Sequence, residues 1–213
     1  GWSGLIDVRL RRVRLVTKEI ADRAAASLLL VIAGPVLLAA AAAVRLDSPG
    51  PAFYTQVRVG ERGRHFTMFK LRSMYVDADA RRAAVVAAGG DAGNKVLFKD
   101  RQDPRITRVG RVLRRTSLDE LPQLLNVVRG DMSLVGPRPA LPQEVAEYDA
   151  EARRRLLVKP GLTGLWQVSG RSDLSWDSTV ALDRHYVENR GAQLDVEILA
   201  NTLKAVVGGR GAY

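Results

Sequence analysis

The sequence predicts a helix-rich α+β domain continuous with a membrane segment, on three observations. Residues 24–44 run for 21 positions without a charge. Two stretches of alternating character flank the turn Gly60-Glu61-Arg62-Gly63. Most of the remaining chain carries apolar residues at helical rather than strand spacing.

The uncharged run, AAASLLLVIAGPVLLAAAAAV, is bounded by Arg23 and Arg45. A bilayer core needs ~20 apolar residues in a helix, so the length fits. Gly34-Pro35 falls at its middle, and a proline removes a helix hydrogen bond and crowds the preceding turn. Both flanks are basic: Arg9, Arg11, Arg12, Arg14, Lys18 and Arg23 precede it, and Arg45, Arg58, Arg62, Arg64, Lys70 and Arg72 follow it. The positive-inside rule would place both flanks in the cytoplasm, which a straight span cannot satisfy. A re-entrant helix broken at Pro35 is therefore expected. Upstream, Leu5, Val8, Val13, Val16 and Ile20 alternate with Arg and Lys, the pattern of a basic amphipathic helix lying on an anionic surface.

Beyond it, Asp47-Ser48-Pro49-Gly50-Pro51 is dense turn punctuation. Strands are expected at Phe53–Val59 and His65–Arg72, joined as a hairpin. Helices are expected at 77–88, around Thr107–Arg115, from near Ser117, at Val145–Leu157 and at Leu194–Val207, with a glycine-rich loop at 89–93.

The net charge of +10 and pI near 10.5 call for a polyanionic partner. Six of the 33 basic residues are Lys and 27 are Arg, whose fork grips phosphate bidentately. A GC-rich genome inflates Arg and Ala together and accounts for the same bias. The absence of Cys excludes disulfides and thiolate metal sites. His65 and His185, the two histidines, lie too far apart in sequence to suggest a zinc site. No nucleic-acid-binding motif is present, so nucleic acid is not an expected partner.

The chemistry-bearing stretch is Arg114-Arg115-Thr116-Ser117-Leu118-Asp119-Glu120-Leu121-Pro122-Gln123. Ser117 and Glu120 fit a capping box, which would put Asp119 and Glu120 in a first helical turn that favours ionised carboxylates. Such a pair is also ordinary helix capping. Arg138 stands between Pro137 and Pro139, which fix its backbone toward an anion. Lys70 and Arg72 alternate on the second strand and are expected on one face. Gln123 and Asn126 could orient the carboxylates or face water. Trp166 and Trp176 could line a lipid interface or simply pack.

Taken together these stretches resemble the monotopic polyprenyl-phosphate phosphoglycosyl transferases, or bacterial sugar transferases. The resemblance runs from about Lys18 to Tyr213. It includes Asp47–Pro51, Lys70-Leu71-Arg72-Ser73-Met74, Ser117–Gln123, Met132–Pro139, Lys159-Pro160-Gly161-Leu162-Thr163-Gly164 and Gly211-Ala212-Tyr213. Leu71 stands where Phe is usual, and Glu19 where a second basic residue is common.

The resemblance implies an interfacial segment at 1–23, a re-entrant helix at 24–46 kinked at Gly34 and Pro35, and a catalytic domain at 47–213 on the cytoplasmic face of a bacterial inner membrane. It implies that Asp119 attacks a UDP-sugar, releasing UMP, and that polyprenyl phosphate then displaces the sugar-phosphate. Glu120 is the expected metal or proton partner, with Mg²⁺ near Asp119 and Glu120. Lys70, Arg72, Arg115, Arg138 and Gln123 are the expected substrate contacts. Membrane lipids are further partners, and self-association into a homodimer is a further expectation. The 166–173 region is closest to the hexose-1-phosphate transferases, and points to glucose or galactose. Longer relatives often carry an N-terminal transmembrane bundle and an extra domain, with which the Gly1 start is compatible.

Overall fold

The computed structural model describes residues 2–81, 103–170 and 174–208, with side chains from Val13 onward except that of Val207. Helix α1 spans Trp2–Asp47 and includes Pro35. Its portion Val13–Asp47 is long and apolar enough to cross a membrane. Helical backbone continues through Gly34 and Pro35, so the expected interruption leaves one unbroken helix. A proline removes a single hydrogen bond from the ladder, and the bonds on either side persist. The expected boundary between residues 23 and 24 likewise falls inside α1.

One side of α1 is core. Ala26 packs with Leu124, Val127, Met132, Val135, Tyr186 and Ile198, while Ala40 and Val44 pack with Ala52, Leu71 and Leu113. The small alanines let the helix lie close against the domain. The opposite side leaves Val13, Val16, Ile20, Leu28, Leu29, Val31, Ile32, Val36 and Leu38 exposed. This stripe is far larger than the scattered apolar residues of a water-facing surface. Val13, Val16 and Ile20 fall in this stripe, and the side chains of Leu5 and Val8 lie outside the described residues.

Strands β1 (Phe53–Val59) and β2 (His65–Leu71) form the expected hairpin, in register from Phe53 opposite Leu71 to Val59 opposite His65. Arg62 and Gly63, at φ 55° and 78°, make the turn. Arg72 falls just beyond β2. Helix α2 (Arg108–Thr116) is capped by Thr107, whose hydroxyl accepts from the Gly110 amide. Gly110 is obligatory: a Cβ there would sit 1.9 Å from the carbonyl oxygen of Ser73.

A 3₁₀ turn, Leu118–Gln123, leads into α3 (Leu124–Arg129). Strands β3 (Ser133–Val135) and β4 (Gly161–Thr163) pair in parallel. They approach so closely at Gly161 that a Cβ would lie 2.0 Å from the Gly136 nitrogen, which gives the Lys159–Gly164 motif a steric reason.

The single helix expected at Val145–Leu157 is instead α4 (Pro142–Ala146), α5 (Ala150–Arg153) and a 3₁₀ turn (Arg154–Leu157). Asp149 breaks it by capping α5, its carboxylate accepting from the Ala152 amide at 2.7 Å. Short α6 (Leu165–Val168) precedes α7 (Trp176–Asn189), which the sequence reading did not anticipate, and α8 (Ala192–Val207) closes the fold as expected. Residues 78–81 are helical. The rest of the expected 77–88 helix lies outside the described residues, as do the 89–93 loop and residues 171–173 and 211–213.

Asn126 joins hairpin to helix. It is fully buried, accepts from the Phe69 amide at 3.1 Å and donates to the Thr67 carbonyl at 2.7 Å. It therefore neither faces water nor touches the carboxylates. Asn126→Ala strands both backbone groups, so denaturant or thermal unfolding in detergent should show a loss of about 2–4 kcal/mol.

Candidate active site

Asp119 owes its position to a reversal of chain direction at Ser117. Ser117 sits in the left-handed region at φ 56° and closes α2, its amide donating to the Arg114 carbonyl at 3.1 Å. This overturns the capping box: Ser117 makes no side-chain cap hydrogen bond. Pro122 cannot donate to a regular α-turn, and the tighter 3₁₀ geometry takes over.

The Asp119 side chain is thereby turned inward and is buried. Burial pushes its carboxyl above the usual carboxylate range, while Lys70 pulls it down and Glu120 raises it again. The expectation that a helix terminus would favour the ionised form is therefore corrected. Desolvation disfavours charge more strongly than the nearby N–H groups favour it.

Glu120 faces the hairpin, where Lys70 donates to it at 2.8 Å. Arg114, on the last turn of α2, contributes favourable charge to Asp119 and is held by a bond from its Nε to Ser73 Oγ at 3.0 Å. Gln123 is buried on the same 3₁₀ turn. So β2 brings a lysine, α2 an arginine and the 3₁₀ turn two carboxylates to one place.

Downstream of β3, Pro137-Arg138-Pro139 runs beside β1. Val59 donates to the Ala140 carbonyl at 2.9 Å, and the Arg58 guanidinium donates to the Pro139 carbonyl at 3.0 Å. Arg138 is half-buried and lies 3.5 Å from Glu144. Glu144 in turn accepts from the Leu141 amide at 2.8 Å.

Not every expected contact converges. Arg72 is buried, and its fork is committed to Pro51 O at 2.7 Å, Ser48 Oγ at 2.9 Å and Ser48 O at 2.8 Å. It holds the Asp47–Pro51 turn. Arg115 is exposed, and its neighbour Arg114 is the one beside Asp119. Trp166 is buried, and Trp176 packs on Tyr148 at 5.4 Å with Arg155 over its ring at 5.5 Å. Glu19 explains its departure from the family pattern by turning toward the domain, where it pairs with Lys159 at 2.8 Å and Arg23 at 2.6 Å.

The sequence reading missed Arg58 and Arg114 as site residues. Arg114 is the member of the Arg114-Arg115 pair that α2 turns inward. Arg58 carried only the signal of a charge at an inward-alternating strand position.

Among the described residues no three His, Asp or Glu side chains gather to hold a metal. Asp119 and Glu120 offer two adjacent carboxylates. That set suits a hard cation such as Mg²⁺, which keeps waters and takes further ligands from substrate phosphates, and does not suit a closed protein cage.

Against known proteins, residues 13–209 match the family model described as bacterial sugar transferase. The galactosyl transferase CpsE of Streptococcus agalactiae is 43% identical over 199 residues, 93% of this chain and 44% of that protein. The exopolysaccharide production protein ExoY of Rhizobium meliloti is 41% identical over 206 residues, 96% of this chain and 91% of its own length. The undecaprenyl-phosphate galactose phosphotransferase of Salmonella typhimurium is 43% identical over 198 residues, 92% of this chain and 41% of that protein. The chain thus spans less than half of two of these relatives and nearly all of the third. A family match across almost the whole chain, with a near full-length relative at this identity, leads to one conclusion: the chain belongs to the bacterial sugar transferase family.

Proposed function

We propose that the chain transfers a sugar-1-phosphate from a UDP-sugar to polyprenyl phosphate at a membrane, through a covalent intermediate on Asp119. The observation that carries this reading is the buried Asp119 carboxylate set beside the Lys70–Glu120 ion pair. A surface-binding or scaffold module without catalysis has no use for an acid held out of water at a cost in stability.

In the first step a carboxylate oxygen of Asp119 attacks the β-phosphorus of the donor. The bond to the bridging oxygen breaks, and UMP leaves with the electron pair. In the second step a phosphate oxygen of the lipid attacks the same phosphorus. The bond to Asp119 breaks, freeing the carboxylate and giving a polyprenyl-diphosphate sugar.

Phosphoryl transfer depends mainly on positioning and charge stabilisation. Lys70, Arg114 and Arg138 supply fixed positive charge for the transferring group, and exposed Arg115 adjoins the approach of the lipid phosphate. Gln123 is buried on the same turn as Asp119. Mg²⁺ held by Asp119 and Glu120 would neutralise the donor diphosphate and favour the ionised Asp119 that burial alone disfavours. Two of the relatives are named for galactose, which supports galactose or glucose as the sugar.

The exposed apolar side of α1 supplies the membrane contact. Its two halves pack on the same domain, through Ala26 in one half and Ala40 and Val44 in the other. That arrangement supports entry and exit on one face, the cytoplasmic one given the basic flanks.

With UDP-galactose or UDP-glucose, polyprenyl phosphate and Mg²⁺, UMP should be released. Asp119→Asn should form no phospho-sugar adduct by intact mass, and an adduct on that variant would rule out Asp119 as nucleophile. Lys70→Met should lower kcat by roughly 10²-fold or more, as losing a charge-stabilising group does. For topology, single cysteines replacing Arg14 and Arg45 should both resist a membrane-impermeant reagent added outside intact cells. Labelling of either one would establish a span.

A further inference from the structure

Among the described residues, Arg58 is a buried cation with no carboxylate in hydrogen-bond reach. It is 6% exposed, its fork donates to Pro139 O at 3.0 Å and to Gln56 Oε1 at 2.6 Å, and its buried Nε has no partner. Its fork grips the residue next to Arg138, and the two guanidiniums repel each other. Burial and Arg138 together pull the Arg58 pKa down to about 10. Glu144 is the nearest answer to this double positive charge, at 3.5 Å from Arg138 and already accepting from Leu141. Glu120 also acts favourably on the Arg58 charge. A buried charge is ordinarily paired. Among the described residues the one carboxylate in ion-pair reach of either arginine is Glu144, at 3.5 Å from Arg138, while Glu120 acts on Arg58 and Asp183 feels Arg138 from farther off.

We propose that Arg58 and Arg138 form an anion subsite for a substrate phosphate, with Glu144 as its internal counter-charge. Which phosphate it takes, that of the nucleotide or that of the polyprenyl acceptor, rests on the transfer reaction proposed above. The anion chemistry does not. Arg58 contributes in two ways: its charge adds to that of nearby Arg138, and its bond to Pro139 fixes the backbone next to Arg138. Glu144 holds the pair in the absence of ligand and weakens the site's grip on one.

The test measures binding of UMP by calorimetry, and of polyprenyl phosphate in micelles, to the full chain in detergent without turnover. Arg58→Gln keeps an amide donor for Pro139 but loses the charge, and should weaken one of the two ligands by about tenfold to a hundredfold. Arg58→Lys restores the charge and should recover most of that loss. Glu144→Gln keeps its acceptor for Leu141 and should tighten the same ligand by about two- to tenfold, a gain that misfolding cannot imitate. A shift confined to UMP assigns the subsite to the donor, and one confined to polyprenyl phosphate assigns it to the acceptor.

Unchanged affinity for both ligands in Arg58→Gln would overturn the proposal. So would Arg58→Lys behaving no better than Arg58→Gln, or Glu144→Gln binding no more tightly than the parent. Arg58-dependent UMP binding in a protein that releases UMP from no UDP-sugar would sink the transfer reaction and leave the subsite standing.

Discussion

A carboxylate held out of water must be answered by positive charge, and the arrangement around Asp119 follows from that constraint. Asp119 is buried because Ser117 adopts a left-handed conformation and Pro122 favours a 3₁₀ turn. Its charged form is then stabilised by groups from two other elements, Lys70 at the end of β2 and Arg114 on α2. Each is itself held, Lys70 by Glu120 and Arg114 by Ser73. The hairpin and α2 therefore have to meet the 3₁₀ turn in one register, and the closeness of Gly110 to Ser73 and the bonds of Asn126 to β2 maintain it.

The hairpin was legible almost to the residue, because strand alternation and a turn rich in glycine are local signals. So was α8, and the motifs around Asp119 and Glu120 singled out the stretch that folds against Lys70. What escaped was set by distant partners. Arg58 and Arg72 look alike in the sequence, each a charge at the end of a strand. One is fixed by a turn 24 residues earlier in the chain, the other by a carbonyl 81 residues later. No window of sequence contains either partner. The capping box failed for a related reason: Ser117 was read as a beginning, and the helix before it had claimed the residue as an end. Asp149 shows the converse, a cap that divides what periodicity had joined.

Composition hid the double character of α1. A run of Ala, Leu and Val reads as lipid-facing throughout, because alanine is at home both in a bilayer and against a neighbouring helix. The structure separates the two uses by face. Alanines 26 and 40 and Val44 meet protein, with Leu30 and Leu37 partly buried beside them, and Leu28, Leu29, Val31, Ile32, Val36 and Leu38 are exposed. The acidic residues near its start serve the same division. Asp22 accepts from Ser133 Oγ at 2.5 Å and from Lys18 at 3.1 Å, and so ties the helix to the strand that leads into Pro137-Arg138-Pro139.

The small residues on the inner face of α1 also bear on how this protein can be handled. Because Ala26, Ala40 and Val44 complete two clusters of the globular part, the anchor is a load shared with the interior and not a handle attached to it. Cutting the chain after Asp47 would expose the apolar surfaces that these residues cover, and the remainder would be prone to aggregate. Solubilisation therefore calls for a detergent or lipid disc that coats the outer stripe while leaving the inner contacts intact.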